Sequence, residues 1–238
     1  MNTKEKYALA EEVIAFALKN GAQQVSVAIE DSRGNDIEIR NRQIDRLTES
    51  NRNGLTLRLF VDKKYSVHST NRLKKDELYK FTEEAIAATR FLAEDEYRAL
   101  PEPELYYKGG GQDLCIFDTS LESVEAKKKI DLAFLIHDEA WGKDESIISV
   151  SSFYSDSISG GVMVTSNGFK GDIARTDISV YATVSVKDDQ SRPSDYWFES
   201  GLFIDKHEKT GIGQKALERT LRKKGARKIK SGKYPMIL

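Results

Sequence analysis

The sequence predicts an α+β protein made of two successive units, each an antiparallel β-meander flanked by helices. Three observations lead there. Residues 37–73 alternate apolar with polar side chains in short runs (Ile37, Ile39; Leu55, Leu57, Leu59, Val61; Tyr65, Val67), and period-two alternation marks strands with one face on a core. Helical spacing of apolar residues stands on both sides of that stretch. The order helix, strands, helix then recurs after a break rich in proline and glycine at residues 101–112. The expected organisation is an N-terminal domain over 1–100, a linker over 101–112 and a second domain over 113–238.

Taken in order, residues 4–20 place Ala8, Leu9, Val13, Phe16 and Ala17 on one helical stripe. Asn20-Gly21 stops that helix, because glycine accepts the left-handed conformation past a helix end. Residues 24–31 alternate as a strand through Val25, Val27 and Ile29, and Ser32-Arg33-Gly34-Asn35 reads as a hairpin turn. Within the meander, Asn41-Arg42, residues 51–54 and residues 62–64 read as turns, with Gly54 offering a positive φ. Residues 74–92 form a second amphipathic helix through Leu78, Phe81, Ala85, Ile86, Thr89 and Leu92.

After the linker, Leu114-Cys115-Ile116-Phe117 looks like a strand. Thr119 can cap a helix reaching Trp141, with Glu122 completing a capping box and Ile130, Ala133, Phe134, His137 and Trp141 along one face. Strands follow over residues 146–154, 161–166, 171–186 and 195–203, and Asn167-Gly168 signals a hairpin. A last helix over 209–224 buries Ile212, Ala216, Leu217 and Leu221, and Gly225 ends it. The apolar end (Tyr234, Met236, Ile237, Leu238) reads as a strand whose continuation lies beyond Leu238, as in a fragment. The second half repeats the order of the first without a residue-level identity that would prove a duplication.

Length and composition narrow the function classes. At 238 residues the chain buries enough surface to need no disulfide or metal staple. Lysine plus arginine (37) nearly cancels aspartate plus glutamate (38), so no global field attracts nucleic acid or an anionic membrane. Cys115 stands alone and fits a reducing compartment. No run approaches the apolar length of a membrane span and no export signal stands at the start, so the cytoplasm is the expected location.

Chemistry-bearing residues are scattered along the chain. His68, His137 and His207 lie in three different elements, and His137 lacks the second histidine that a helical zinc site places four residues away. The better reading of His137 is a packed or capping side chain on an apolar face. Serine is abundant over residues 149–159, but no Gly-x-Ser-x-Gly occurs. Gly211-x-Gly213 lacks the third glycine and the preceding strand of a dinucleotide fingerprint. Gly109-Gly110-Gly111 leads into a strand pattern rather than a helix, which argues against a phosphate cradle. From Lys206 to Lys233 there are eleven lysines and arginines against Glu208 and Glu218. That excess could meet phosphate backbones, yet no aromatic residues interleave it, and a solvated face or a partner-covered face reads better. No catalytic, cofactor-binding or metal residue is assigned.

The run Gly54-Leu-Thr-Leu-Arg-Leu-Phe-Val-Asp-Lys-Lys-Tyr-Ser-Val-His-Ser-Thr-Asn-Arg-Leu, with Glu94-Asp-Glu-Tyr-Arg-Ala-Leu-Pro beyond the following helix, resembles the N-terminal region of the TldD/PmbA proteins, the modulators of DNA gyrase. Thr165-Ser-Asn-Gly-Phe, Asp195-Tyr-Trp-Phe, Gly225-Ala-Arg-Lys and Ser231-Gly-Lys-Tyr-Pro resemble the PmbA (TldE) branch. The resemblance implies a cytoplasmic metallopeptidase system that trims unfolded or modified peptides. In it, TldD-type subunits carry a His-Glu-x-x-x-His zinc motif in a part beyond the region matched here, and PmbA-type subunits lack it and pair with TldD. No such motif occurs in this chain, so zinc is expected in a TldD-like partner and not here. The implied partners are that subunit or a second copy, together with extended peptides; a DNA- or gyrase-binding module is the alternative. An antiparallel sheet can also offer an edge on which a peptide adds as a strand.

Overall fold

The structure, a computed structural model, describes every residue except 110–111, 190, 207–209, 229 and 237–238. The first unit is α1 (Thr3–Lys19), β1 (Gln24–Arg40), β2 (Gln43–Val61), β3 (Lys64–Thr70) and α2 (Lys75–Thr89). The second is α3 (Ala126–Asp138), β4 (Ile147–Thr165), β5 (Lys170–Val186), β6 (Ser194–Gly201) and α4 (Ile212–Leu221). Among the described residues the six strands form one antiparallel sheet ordered β3-β2-β1-β4-β5-β6. The class is therefore α+β, with meanders and helices in the expected order. The sheet nonetheless runs across both units, because β1 pairs with β4 from Ser26↔Thr165 to Arg40↔Ser151.

Local chemistry accounts for the ends of several elements. Asn2 Oδ1 accepts the Glu5 N–H and Glu5 Oε2 accepts the Asn2 N–H, both at 2.9 Å, a complete capping box on α1. Tight two-residue turns at Asn41-Arg42 (φ 47° and 64°) and Asp62-Lys63 (φ 51° and 59°) join β1 to β2 and β2 to β3. Positive φ at both central residues matches the twist of the flanking strands. The Asn167-Gly168 hairpin joins β4 to β5 as expected.

Several expected boundaries give way to the sheet. Ser32-Arg33-Gly34-Asn35 is not a turn: β1 runs straight through it, with Ser32 opposite Arg52 on one side and Ser159 on the other. Residues 51–54 likewise lie inside β2, and Gly54 has no positive φ. Strands 146–154 and 161–166 are one strand, β4. Pairing with neighbours outweighs local turn preference: β1 and β4 have ladder partners on both edges at these places, and residues 51–53 of β2 are held in the strand by β1. Thr119 and Glu122 form no capping box; a short 3-10 turn occupies residues 121–123, and α3 begins at Ala126 behind Glu125, without a side-chain cap. Residues 114–117 form no strand of the sheet, and neither do the described residues at the C-terminus, 233–236.

All four helices cover one face of the sheet. Residues opposed across an antiparallel pair point to the same face, and Val25, Val27 and Ile29 of β1 meet Leu55, Leu57 and Leu59 of β2 and Val162 and Val164 of β4 beneath α1 and α2. A second core gathers Ile37 and Ile39, Val150 and Tyr154, and Val180, Ala182 and Val184 beneath α3 and α4. Each buried aliphatic side chain contributes about 1.5–3 kcal/mol. The two long central strands thus serve both cores, one at each end.

The units match residue by residue. Lys6, Ala10, Val13 and Ala17 of α1 have Lys129, Ala133, Ile136 and Ala140 as counterparts, all buried. Val25, Ile29, Leu55 and Leu57 answer to Val150, Tyr154, Val180 and Ala182. Ala85, Ile86 and Thr89 of α2 answer to Ala216, Leu217 and Thr220 of α4, and each threonine hydroxyl donates to the carbonyl four residues earlier, that of Ala85 or Ala216. A pseudo-two-fold axis between β1 and β4 relates the halves. At the matched positions Lys6/Lys129, Ala10/Ala133, Ala17/Ala140 and Thr89/Thr220 are identical, few enough that they do not stand out without the superposed strands.

Candidate functional site

The sheet face opposite the helices is the surface left over for function. One end of it is covered by the chain between the units. The Leu100 N–H donates to Gln24 Oε1 (2.9 Å), Asn167 Nδ2 donates to the Pro101 carbonyl (2.8 Å), and the Tyr106 ring lies 4.9 Å from Phe169. The other end is aromatic: Phe153 stacks on Tyr181 at 4.0 Å, beside half-exposed Tyr196 and Phe198. Burial, with help from the Glu38 carboxylate, raises the Tyr181 hydroxyl pKa above its ordinary value.

Between these ends lies an open cleft of about 620 Å³. Its floor is the row Arg52, Ser32, Ser159 and Arg175 across four strands, next to Glu30, Gly161 and Ile173. Gly161 is required there, since a Cβ would stand 2.8 Å from the Ile29 carbonyl of β1. Arg175 is held by Asp177 through three contacts of 2.7–3.0 Å, a pair that raises its pKa. A second cleft, about 410 Å³, lies at the related place by β6, lined by Asp177, Ile178, Ser200 and Gly201.

The residues singled out in the sequence do not converge. His137, near the end of α3, is fully buried; its Nε2 accepts the Arg42 N–H at 3.2 Å and its Nδ1 is 3.1 Å from Asp138 Oδ1. It therefore secures the β1–β2 turn, as a packed and capping histidine. His68 is on β3, with Nε2 2.9 Å from Ser66 Oγ and its ring edge-on to Phe81; burial lowers its pKa. His207 and the end of the triple glycine lie outside the described residues. Among the described residues no three His, Cys, Asp or Glu side chains gather as metal ligands. Ser152, Ser155 and Ser159 donate to the Ala133 carbonyl, Asp36 and the Arg175 carbonyl. Cys115 is exposed.

The glycine pair Gly211-x-Gly213 has its own anion. Glu139 of α3 accepts both N–H groups, at 2.7 and 2.8 Å, so a carboxylate of the protein fills the N-terminus of α4. The helical part of the basic segment is also engaged within the fold. Arg219 and Lys223 lie 3.4 and 3.2 Å from Asp195, and Lys215 sits 3.6 Å above the Trp197 ring. What sequence reading missed is the cleft, because its residues come from strands up to about 145 positions apart and share only small size or charge; the spacing Lys-x-x-x-Ala-x-x-(Val/Ile)-x-x-x-Ala at residues 6–17 and 129–140 was a signal for the underlying symmetry.

The duplicated helix-and-meander unit thus engages its described histidines in contacts within the fold and leaves one sheet face, with two clefts, open. The chain belongs to the PmbA/TldD family. The family domain described as PmbA/TldA metallopeptidase domain 1 matches residues 25–89, and the PmbA/TldA metallopeptidase central domain matches residues 119–224. Among solved structures, a candidate modulator of DNA gyrase from Bacteroides thetaiotaomicron is 43% identical with a TM-score of 0.94, covering 98% of this chain and 53% of its own. A second candidate modulator of DNA gyrase, from Thermotoga maritima, shares the fold at 20% identity (TM-score 0.76; 95% of this chain, 50% of that one). TldE from Thermococcus kodakarensis shares it at 14% identity (TM-score 0.70; 90% and 47%). The chain spans about half the length of these structures. No curated protein matches it. Among the described residues no helix is long and apolar enough to cross a membrane.

Proposed function

We propose that this chain is the PmbA/TldE-type half of a TldD/PmbA metallopeptidase system, cytoplasmic, whose sheet shapes and closes the assembly around extended peptides. The observation that supports this reading most is the match of both family domains, in order, to a fold whose described histidines are spent on structure. Among the described residues no cluster of zinc ligands gathers, and both ring nitrogens of His137 are engaged, which supports placing zinc in the partner. Peptide-bond cleavage is accordingly assigned to a TldD-like partner, and no step of it to these residues. What this chain contributes is enclosure, which admits unfolded chains and excludes folded ones.

The test is to mix the full-length form of this protein with its TldD-like partner and a disordered peptide. Faster or more selective cleavage in the mixture is expected; equal cleavage with and without this protein discards the reading. A second reading, a non-enzymatic modulator acting on DNA gyrase or DNA, rests on the description of its 43%-identical relative and on the basic segment from Lys206 to Lys233. Salt-dependent retention on duplex DNA would favour it, and free passage at low salt removes it.

A further inference from the structure

The pseudo-two-fold symmetry is broken at one place. β3 pairs with β2 only from Leu55 to Val61, so among the described residues the outer edge of β2 before Leu55 has no neighbouring strand. β6 likewise stops at Gly201, opposite Ile178, leaving the outer edge of β5 before that residue. In the second unit the chain closes its own edge. Thr176 is fully buried, its N–H donates to the Ile116 carbonyl at 3.1 Å, and its hydroxyl accepts the Asp118 N–H at 2.9 Å. In the first unit, the residue equivalent to Thr176 is Asn51, which is exposed, as are its neighbours from residue 43 to 53 apart from half-buried Ser50.

The backbone of that bare edge points outward at alternate residues. The Phe60 carbonyl accepts the Gln23 N–H on the β1 side. Alternation along an unbroken strand then turns the N–H and C=O of Leu47, Glu49, Asn51 and Asn53 away from β1, as Thr176 turns its own away from β4. The upper end of this edge opens into the 620 Å³ cleft beside Ser69, Thr70 and Asn71, in line with β3.

We propose that the outer edge of β2, residues 47–53, receives an extended peptide as an added strand in line with β3. The occupant is argued from the molecule itself: at the equivalent edge the seat is taken by the chain around Ile116, whose carbonyl accepts the outward Thr176 N–H, so a main-chain group already fills this kind of edge. Main-chain pairing tolerates varied sequences, which suits a partner that is unfolded rather than specific. A second copy of this chain fits less well. Two-fold pairing of β2 on β2 opposes Asp45 to Glu49 when centred on Leu47, and Arg46 to Arg52 when centred on Glu49, and like charges directly opposed are destabilising. The inference rests on the peptide-handling reading above, and names the surface that reading would use.

The test is residue-resolved amide hydrogen exchange of this chain with and without an unstructured 20-residue peptide. Slowed exchange at Leu47, Glu49, Asn51 and Asn53, with Thr48 and Ser50 unchanged because they already face β1, is the expected signature. Asn51→Pro removes one outward N–H and should weaken peptide binding about tenfold, while Thr176→Pro, at the closed edge, should leave any remaining binding at the β2 edge unaltered if the variant stays folded. Equal affinity of wild type and Asn51→Pro, protection without the alternating pattern, or the same protection appearing with protein concentration alone would each overturn the proposal. In the cleavage assay, stimulation that survives Asn51→Pro sinks the edge and leaves the peptidase reading standing; wild type that never stimulates sinks the reading, and the exchange pattern still decides the edge.

Discussion

The duplication sets up a direct comparison between two lysine–aspartate pairs at related positions. In the second unit Lys129 Nζ lies 2.6 Å from Asp156 Oδ2, and the two side chains are 9% and 2% exposed. Asp156 also accepts the Tyr154 hydroxyl (2.7 Å) and Asn35 Nδ2 (2.8 Å), so its carboxylate is built into the centre of the sheet. That contact and burial together raise the Tyr154 pKa, burial being the larger cause. In the first unit Lys6 pairs with Asp31, whose side chain is 41% exposed. Lys129→Met leaves Asp156 buried without its counter-charge and should cost about 3–5 kcal/mol. At about 2–4 °C per kcal/mol for a chain of this size, the melting temperature falls by roughly 10 °C. Lys6→Met leaves a carboxylate that water can reach and should cost about 1 kcal/mol or less. Lys129→Met combined with Asp156→Leu should recover part of the loss, because both charges are gone. Thermal and urea unfolding of the three variants decide it. Equal losses for Lys6→Met and Lys129→Met, or no loss for Lys129→Met, would refute the claim that burial makes these pairs unequal.

Three further outcomes are expected. Gly213→Ala puts a Cβ 2.1 Å from the Ile136 carbonyl, where α3 and α4 touch, and should destabilise by about 1–3 kcal/mol in urea unfolding. His137→Phe keeps the bulk but removes the acceptor of the Arg42 N–H, costing about 1–3 kcal/mol and speeding hydrogen exchange at the Arg42 amide. Burial would raise the Asp118 carboxyl, but hydrogen bonds from Ser120 and from the Ile204 N–H outweigh it and hold the pKa below the ordinary value. A depressed folded pKa gives stability that is complete above the unfolded value of about 3.9 and is lost as pH falls through the lower folded one. The gap in melting temperature between wild type and Asp118→Asn should therefore shrink from about pH 5 downward, and a gap constant down to about pH 2 would contradict it.

The sequence by itself determined the features whose causes are local. The helical character of α1, the Asn41-Arg42 and Asn167-Gly168 turns and the alternation of β2 and β5 all depend on residues within a few positions of each other, and each stands in the structure; the buried face of α1 is Lys6, Ala10, Val13, Ile14 and Ala17, so Ala8 of the expected stripe is exposed. The resemblance carried by residues 54–73 and by the later motifs also held, since family membership is written in order and spacing. The tertiary structure alone decided where strands continue. Ser32-Arg33-Gly34-Asn35 and residues 51–54 have turn chemistry, yet β1 has ladder partners on both sides and residues 51–53 of β2 pair with it, and those hydrogen bonds outweigh the local preference. It also decided that the two units share one sheet, that Glu139 fills the α4 terminus and that His137 guards a turn far from it in sequence. Pairing across more than a hundred residues has no local signature, so the open cleft and the bare edge of β2 exist only once the sheet is assembled.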